Sequence, residues 1–245
     1  MQIKAVLFDM FDTLALIDNN YEFYNHAVER MHKYVGTQGI NVTFEAFHKA
    51  YIKARDDLYV IADKTLEEPH FDQRIQNALR LLDYNLDVNN PIIWGATESF
   101  CQEFLNHVTI DKDAKAVLQN LYGNYKLGII SNFAIPEGVY SFLKTNKMEE
   151  LFDIVMVSGK VNKRKPSPEI FQKALKKIEV NAENAVFVGD TADADIAGAH
   201  ATGMRAVYIK RRFEQDLEKF TPNSIIESLA ELPTAIKNIN NDKLT

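Results

Sequence analysis

An α/β fold is what three features of this sequence predict: a three-layer core around a parallel sheet, joined to an all-helical insert. Five short apolar runs, at residues 3–8, 126–130, 153–157, 185–188 and 205–209, have the length of fully buried strands. Stretches with helical apolar spacing, at 168–178 and 193–201, separate the later runs. Such alternation argues for parallel strands with helices on both faces. Residues 17–107, in contrast, read as helices only.

The first strand delivers Leu7-Phe8-Asp9-Met10-Phe11-Asp12-Thr13-Leu14. In a parallel sheet, ligands gather at the carboxyl ends of the strands, so the residues just after each run are the candidates for chemistry. A carboxylate at the end of a buried strand is costly to desolvate without a metal, hydrogen-bond donors or a task. Asp9 is therefore a nucleophile or ligand, or else a structural cap on the loop that follows.

Helical patterns then run over 21–34, 44–62, 71–82 and 92–107, with a turn-like segment at 85–91. They form an insert directly after the first strand. The second strand ends in Ile130-Ser131-Asn132, a hydroxyl and an amide that either donate to an oxyanion or serve as turn and cap residues. Lys165-Pro166-Ser167-Pro168 opens the next helical run, where Ser167 and the prolines are ordinary helix-start residues and Lys165 reads alone as solvated surface.

The fourth strand ends in Val188-Gly189-Asp190-Thr191-Ala192-Asp193-Ala194-Asp195. Three carboxylates this close repel unless a cation or base compensates them, and clustered carboxylate and carbonyl oxygens suit magnesium. Acidic residues in a first helical turn account for one or two of them without a metal. After Thr221, a Pro-Asn-Ser start followed by Ile225, Ile226, Leu229 and Leu232 reads as a closing helix.

Composition limits the options further. Hydrophobic residues make up 46% and charged residues 25% of the 245, ordinary values for a folding chain. The net charge of −6 comes without a basic block, so neither nucleic acid nor anionic lipid is an expected partner. The apolar runs are too short to cross a bilayer and the N-terminus lacks a signal-like segment, so a cytoplasmic location is expected. Cys101 is the single cysteine, excludes an internal disulfide, and reads as a small core hydrophobe. A monomer or homodimer is expected.

Taken together, these sites resemble in order and spacing the four motifs of the haloacid dehalogenase-like superfamily, over residues 3 to about 209. The resemblance implies a Rossmann-like catalytic core over 1–16 and 108–245 and a helical cap domain over 17–107. The stretch from Asn132 to Lys165 is too short for the larger alternative cap. It further implies a phosphatase acting on a small phosphorylated molecule, with Asp9 taking the phosphoryl group and Thr13 completing motif one. Ser131, the backbone near Asn132 and Lys165 would hold the phosphoryl oxygens. Magnesium would be bound by Asp9, the Phe11 carbonyl and Asp190, with Asp195 in support.

One position departs from the phosphatase pattern. Two residues after the nucleophile the phosphatases usually carry a second aspartate, the general acid and base, and here stands Phe11. Losing a positioned acid costs about 100- to 10,000-fold in rate. Asp12 reads as a turn residue more readily than as a substitute. The haloacid dehalogenases look similar at Phe11, because halide leaves without a proton. The acidic Gly189-Asp190 pair and Phe171, where dehalogenases tend to show tyrosine, oppose that alternative; a regulatory relative without turnover is a third. In the insert, Tyr21, Tyr24, Arg55 and Tyr59 are candidates for the entrance, with core packing or an exposed helix face as the alternative for each.

Overall fold

Side chains alternate across the central strands, and that alternation builds the layers. Val6 and Phe8 of the first strand face one apolar cluster while Ala5 and Leu7 face another, each strand being buried on both sides. The computed structural model describes residues 2–18, 22–211 and 217–241. The strands are β1 (Ala5–Phe8), β2 (Ala15–Ile17), β3 (Val108–Ile110), β4 (Lys126–Ser131), β5 (Ile154–Val157), β6 (Ala185–Gly189), β7 (Arg205–Ile209) and β8 (Ser224–Ile226). Six of them form one parallel sheet in the order β5-β4-β1-β6-β7-β8. The chain moves outward from β1 through β4 to β5 and then returns to the other side of β1 at β6. That reversal brings the carboxyl ends of β1, β4 and β6 side by side.

Helices α1 (Glu22–Thr37), α2 (Phe44–Thr65), α3 (Phe71–Arg80) and α4 (Pro91–Asn106) fill the region between β2 and β3. Local chemistry fixes their starts. Thr43 accepts from Ala46 N at 3.3 Å ahead of α2, and Asn90 accepts from Ile92 N at 2.9 Å ahead of α4, whose first turn holds Pro91. The remaining helices are α5 (Ala114–Leu121), α6 (Pro136–Thr145), α7 (Ser158–Val161), α8 (Pro168–Ile178), α9 (Ala197–Thr202) and α10 (Leu232–Asn241). Ser167 caps α8 by accepting from Glu169 N at 3.4 Å, the ordinary helix-start role expected of it. No helix among the described residues is long and apolar enough to cross a membrane.

Two expectations are corrected. Residues Ser224–Ile226 are the edge strand β8 rather than part of a closing helix, paired with β7 from Val207↔Ser224 to Ile209↔Ile226. Ile226 is buried while Ile225 is exposed, a period of two, and α10 begins only at Leu232, after a turn closed by the Ser228–Glu231 capping box. The second concerns β2 and β3, which pair antiparallel where the helical region leaves and rejoins the sheet. At three residues each, they are too short to give a periodic signal. The tail of the fourth motif also differs in detail, since Ala192–Ile196 form a π-helical turn before α9.

Candidate active site

Asp9, Lys165, Asp190 and Asp195 come from three separate segments and meet at the carboxyl edge of the sheet. Asp9 follows β1, its N–H tied to Val188 O at 2.8 Å, and is 8% exposed. Asp190 follows β6. Asp195 sits in the π-helical turn, where its Oδ2 accepts from Thr191 N at 3.0 Å. Gly189 is required beside it, because a β-carbon there would collide with the Asp195 carboxylate. Lys165, 3% exposed, places Nζ 2.5 Å from Asp9 Oδ1 and 2.7 Å from Asp195 Oδ1. It is thus a buried counterion rather than solvated surface.

One lysine does not balance three carboxylates. Oxygens of Asp9, Asp190 and Asp195 all lie within 4.8 Å of one another. Burial, partly offset by Lys165 and reinforced by Asp195, pushes Asp9 up to about 7. Burial and the neighbouring Asp9, Asp195 and Asp12 push Asp190 up to about 8. This donor set, oxygen-only, anionic and short of positive charge, fits a hard divalent cation such as magnesium. Asp9, Asp190 and Asp195 are the side chains that could hold it.

The cluster opens into a cavity of about 400 Å³ whose wall includes Phe11, Asp12, Asn132, Arg164 and Asp193. Asn132 spends its amide on Lys165: Oδ1 accepts from Lys165 N at 2.7 Å and Nδ2 donates to Lys165 O at 3.0 Å. Ser131 and Thr13 lie next to the cluster in sequence but do not contribute to the cavity wall. Both hydroxyls are buried without a hydrogen-bond partner among the described residues, an arrangement that costs about 1–3 kcal/mol each. Asp12 has a left-handed backbone (φ 60°), and its Oδ1 accepts from Ile17 N at 3.1 Å, as a turn residue does. The Phe11 ring meets Phe104 of α4 edge-on at 5.2 Å and Phe133 at 4.9 Å, joining the sheet edge to the helical region.

Segment 65–71, where α2 gives way to α3, is tied to the sheet edge, and its Leu66 lines the Asp9 cavity beside Ala62 and Asp63 of α2. Thr65 O accepts from Lys163 Nζ, Leu66 O from Arg164 N, and Phe71 N donates to Ala134 O, while Glu68 takes a hydrogen bond from the buried Ser158 hydroxyl. Below it lies a second cavity of about 250 Å³ that shares Asn132 and Arg164 with the first. Tyr24 and Tyr59 line this second cavity. Arg55 lines neither; it pairs with Asp56 at 2.8 Å and leans over the Tyr24 ring. Tyr21 lies outside the described residues. Phe171 is a core residue stacked edge-on against Phe187. Burial pushes the Cys101 thiol up to about 12, consistent with a core role.

Two arginines were not singled out by the sequence. Arg211 donates to the carbonyls of Asp12 and Thr13 at 2.9 and 2.8 Å and pairs with Asp111 at 3.1 Å, bracing the loop after β1. Nothing in its sequence context signals this. Arg74 is different: it is buried among Phe71, Ile75, Ala78 and Leu79 of α3 and lines the second cavity. A cation inside an i, i+3, i+4, i+7 apolar stripe was a readable anomaly.

The model of the haloacid dehalogenase-like hydrolases matches residues 6–209. The chain is 28% identical over 243 residues to a glyceraldehyde 3-phosphate phosphatase of Methanocaldococcus jannaschii, covering 98% of this chain and all of the relative. Among solved structures it resembles a 2-haloacid dehalogenase from Pseudomonas syringae, with a TM-score of 0.70 at 24% identity over 97% of this chain and 100% of the other. A HAD phosphatase from Thermococcus onnurineus gives a TM-score of 0.63 at 25% identity, covering 95% of this chain and 97% of the other.

Proposed function

The chain belongs to the haloacid dehalogenase-like hydrolase family, and from that premise we propose that it is a magnesium-dependent phosphatase that hydrolyses a small phosphorylated metabolite through Asp9. The observation that carries the reading is the close-set trio of Asp9, Asp190 and Asp195, the first and last buried and Asp190 half-buried, beside a single lysine. Asp9, Asp190 and Asp195, with the Phe11 carbonyl, would hold the ion, which supplies positive charge against the repulsion between carboxylate and phosphate.

Asp9 is the nucleophile. Its carboxylate forms a bond to phosphorus as the P–O ester bond breaks and the leaving oxygen takes a proton from solvent; water then attacks phosphorus, releasing inorganic phosphate and restoring the Asp9 carboxylate. Lys165 orients Asp9 through their ion pair and faces the phosphoryl oxygens as charge develops. Asn132 keeps Lys165 in position. Ser131 and Thr13 hold buried, unsatisfied hydroxyls behind the cavity wall, so they would reach the phosphoryl group only after the loops around it adjust. The helical region 17–107 acts as the cap, with segment 65–71 excluding water from the site.

Phe11 supplies no proton to the leaving oxygen. That residue favours a second reading, dehalogenation with an ester on Asp9; the acidic trio argues against it, because an ester-forming aspartate gains nothing from two more carboxylates crowded beside it. Phosphate release from p-nitrophenyl phosphate and acetyl phosphate, with and without magnesium, decides between them when run beside halide release from 2-chloropropionate. Magnesium-dependent phosphate release abolished by Asp9→Asn supports the phosphatase. Metal-independent halide release supports the dehalogenase.

A further inference from the structure

Arg74 presents an unanswered charge. Its side chain is buried at 8% exposure, yet no ion pair joins it to a carboxylate among the described residues. Nη1 donates to the Tyr51 hydroxyl at 3.3 Å, and Nε, fully buried, has no hydrogen-bond partner. What surrounds the guanidinium is aromatic: Phe71 at 4.7 Å, Tyr59 at 5.3 Å and Tyr51 at 6.0 Å from its carbon. Ring faces of this kind attract a cation but give its N–H groups no strong acceptor. A buried charge ordinarily keeps a counterion, because desolvation without one is costly. The aromatic cage therefore leaves the guanidinium without the anionic partner that burial calls for.

The cavity beside it has room for such an anion. Arg74 lines the 250 Å³ space, which meets the Asp9 cavity along Asn132 and Arg164. Arg164 adds a second cation at the junction. The one carboxylate on the same wall, Glu68, already accepts from Ser158 and forms no ion pair with Arg74. Tyr51 is itself held by Tyr24, hydroxyl to hydroxyl at 2.9 Å, so the guanidinium is fixed rather than loose. A guanidinium on a cavity wall with no carboxylate paired to it is the side chain best suited to hold one there.

We infer that the cavity around Arg74 is a subsite for a carboxylate, so that the substrate is a phosphate monoester bearing a carboxylate at its far end. The phosphoryl group occupies the Asp9 cavity, the carboxylate reaches past Asn132 and Arg164, and Arg74 acts as the specificity-determining residue. This rests on the phosphatase reading, and its test separates the two.

Binding is measured by isothermal titration calorimetry on the full chain carrying Asp9→Asn with magnesium present, using 3-phosphoglycerate and glycerol 3-phosphate. These probes have the same length and differ at the end away from phosphate. The carboxylated probe is expected to bind at least tenfold more tightly. Adding Arg74→Gln brings the two within twofold, and Arg74→Lys gives an intermediate preference. Equal affinities in the Asp9→Asn protein, binding of neither probe, or an equal loss for both on Arg74→Gln would overturn the subsite. If Arg74→Gln fails to fold, phenylglyoxal labelling of the Asp9→Asn protein replaces it: 3-phosphoglycerate should protect Arg74 and glycerol 3-phosphate should not, read by peptide mass spectrometry. Phosphate release from p-nitrophenyl phosphate by the unsubstituted chain reports separately on the phosphatase reading. An Arg74-dependent preference without any release keeps the subsite and sinks the phosphatase; release without the preference does the reverse.

Discussion

Asn132 grips the Lys165 peptide from both sides, its Oδ1 2.7 Å from Lys165 N and its Nδ2 3.0 Å from Lys165 O. The two residues are 33 positions apart, and the bonds fix the backbone from which Lys165 reaches Asp9 and Asp195. Replacing Asn132 by alanine leaves both backbone groups without these partners and lets the ammonium drift. A displacement on the order of 1 Å can cost about 100-fold. Asn132→Ala is expected to lower kcat by about 10- to 100-fold with a smaller change in KM, and to cost about 1–3 kcal/mol of stability. Steady-state kinetics and urea denaturation on the same preparation check both halves.

The crowded carboxylates make the stability of the metal-free protein depend on pH. Asp9 and Asp190 are raised to about 7 and about 8, so in the folded state they keep protons that the unfolded chain releases near pH 4. Stability therefore falls as pH rises from about 4 through 8, and the penalty is absent below the unfolded value. A divalent cation held by the same carboxylates displaces those protons and restores the loss. Magnesium at about 100 times its Kd would add about 2.7 kcal/mol, or roughly 5–10 °C in Tm for a chain of this size. The gain is expected to be large at pH 8 and small at pH 5.5, and to vanish in Asp190→Asn, all by thermal denaturation with magnesium or with a chelator. An equal gain at both pH values would contradict the assignment.

Phe11 stands two residues after Asp9, where the phosphatases this sequence resembles usually carry an aspartate, and its ring is committed to Phe104 and Phe133. Phe11→Asp exchanges that packing for a proton donor, at a cost of about 2–4 kcal/mol in stability. If Asp9 chemistry is limited by protonation, the variant gains at least tenfold in kcat/KM on alkyl phosphates relative to p-nitrophenyl phosphate, whose leaving group needs no proton. A series of aryl phosphates gives the complementary result: the unsubstituted chain shows a steep dependence on leaving-group acidity, and Phe11→Asp a shallow one.

Asp9 and Asp190 were readable because each stands where a buried apolar run ends, whereas Lys165, which alone reads as solvated surface, was picked out only by the order of the motifs along the chain. Their mutual distances were not, since the reversal of strand order at β1 brings β6 beside it and no local pattern encodes that. The Asn132–Lys165 clamp and the Arg211 brace depend on backbone groups far away in sequence, which residue types do not announce. Ile225 and Ile226 fit a strand and a helix equally well until β7 offers an edge to pair with. Arg74 is the instructive miss. Its position in the apolar stripe of α3 was visible, and a charge where a core residue belongs points to a ligand more strongly than Arg55 does, half-buried and paired with its own neighbour.

His70 joins the helical region to the sheet domain through charge. Its Nε2 lies 3.0 Å from Glu137 of α6, and its Nδ1 lies 3.2 Å from both Asp72 Oδ2 and Asp72 N. When neutral, the ring can accept from the Asp72 amide; when charged, it donates to the carboxylate instead. Burial opposes the charged form, but the hydrogen bonds and charges of Asp72 and Glu137 outweigh it and raise His70 from 6.5 to about 9. A raised histidine stabilises the fold fully below its unfolded value, and the contribution is lost as pH rises from about 6.5 through 9. Because Glu137 is mostly exposed, solvent screening leaves about 1 kcal/mol of this contribution. His70→Gln is expected to destabilise by about that amount at pH 6 and by close to nothing at pH 10, measured by urea denaturation at the two pH values. A cost that stays constant across this range would show that packing, not the ion pair, holds His70 against α6.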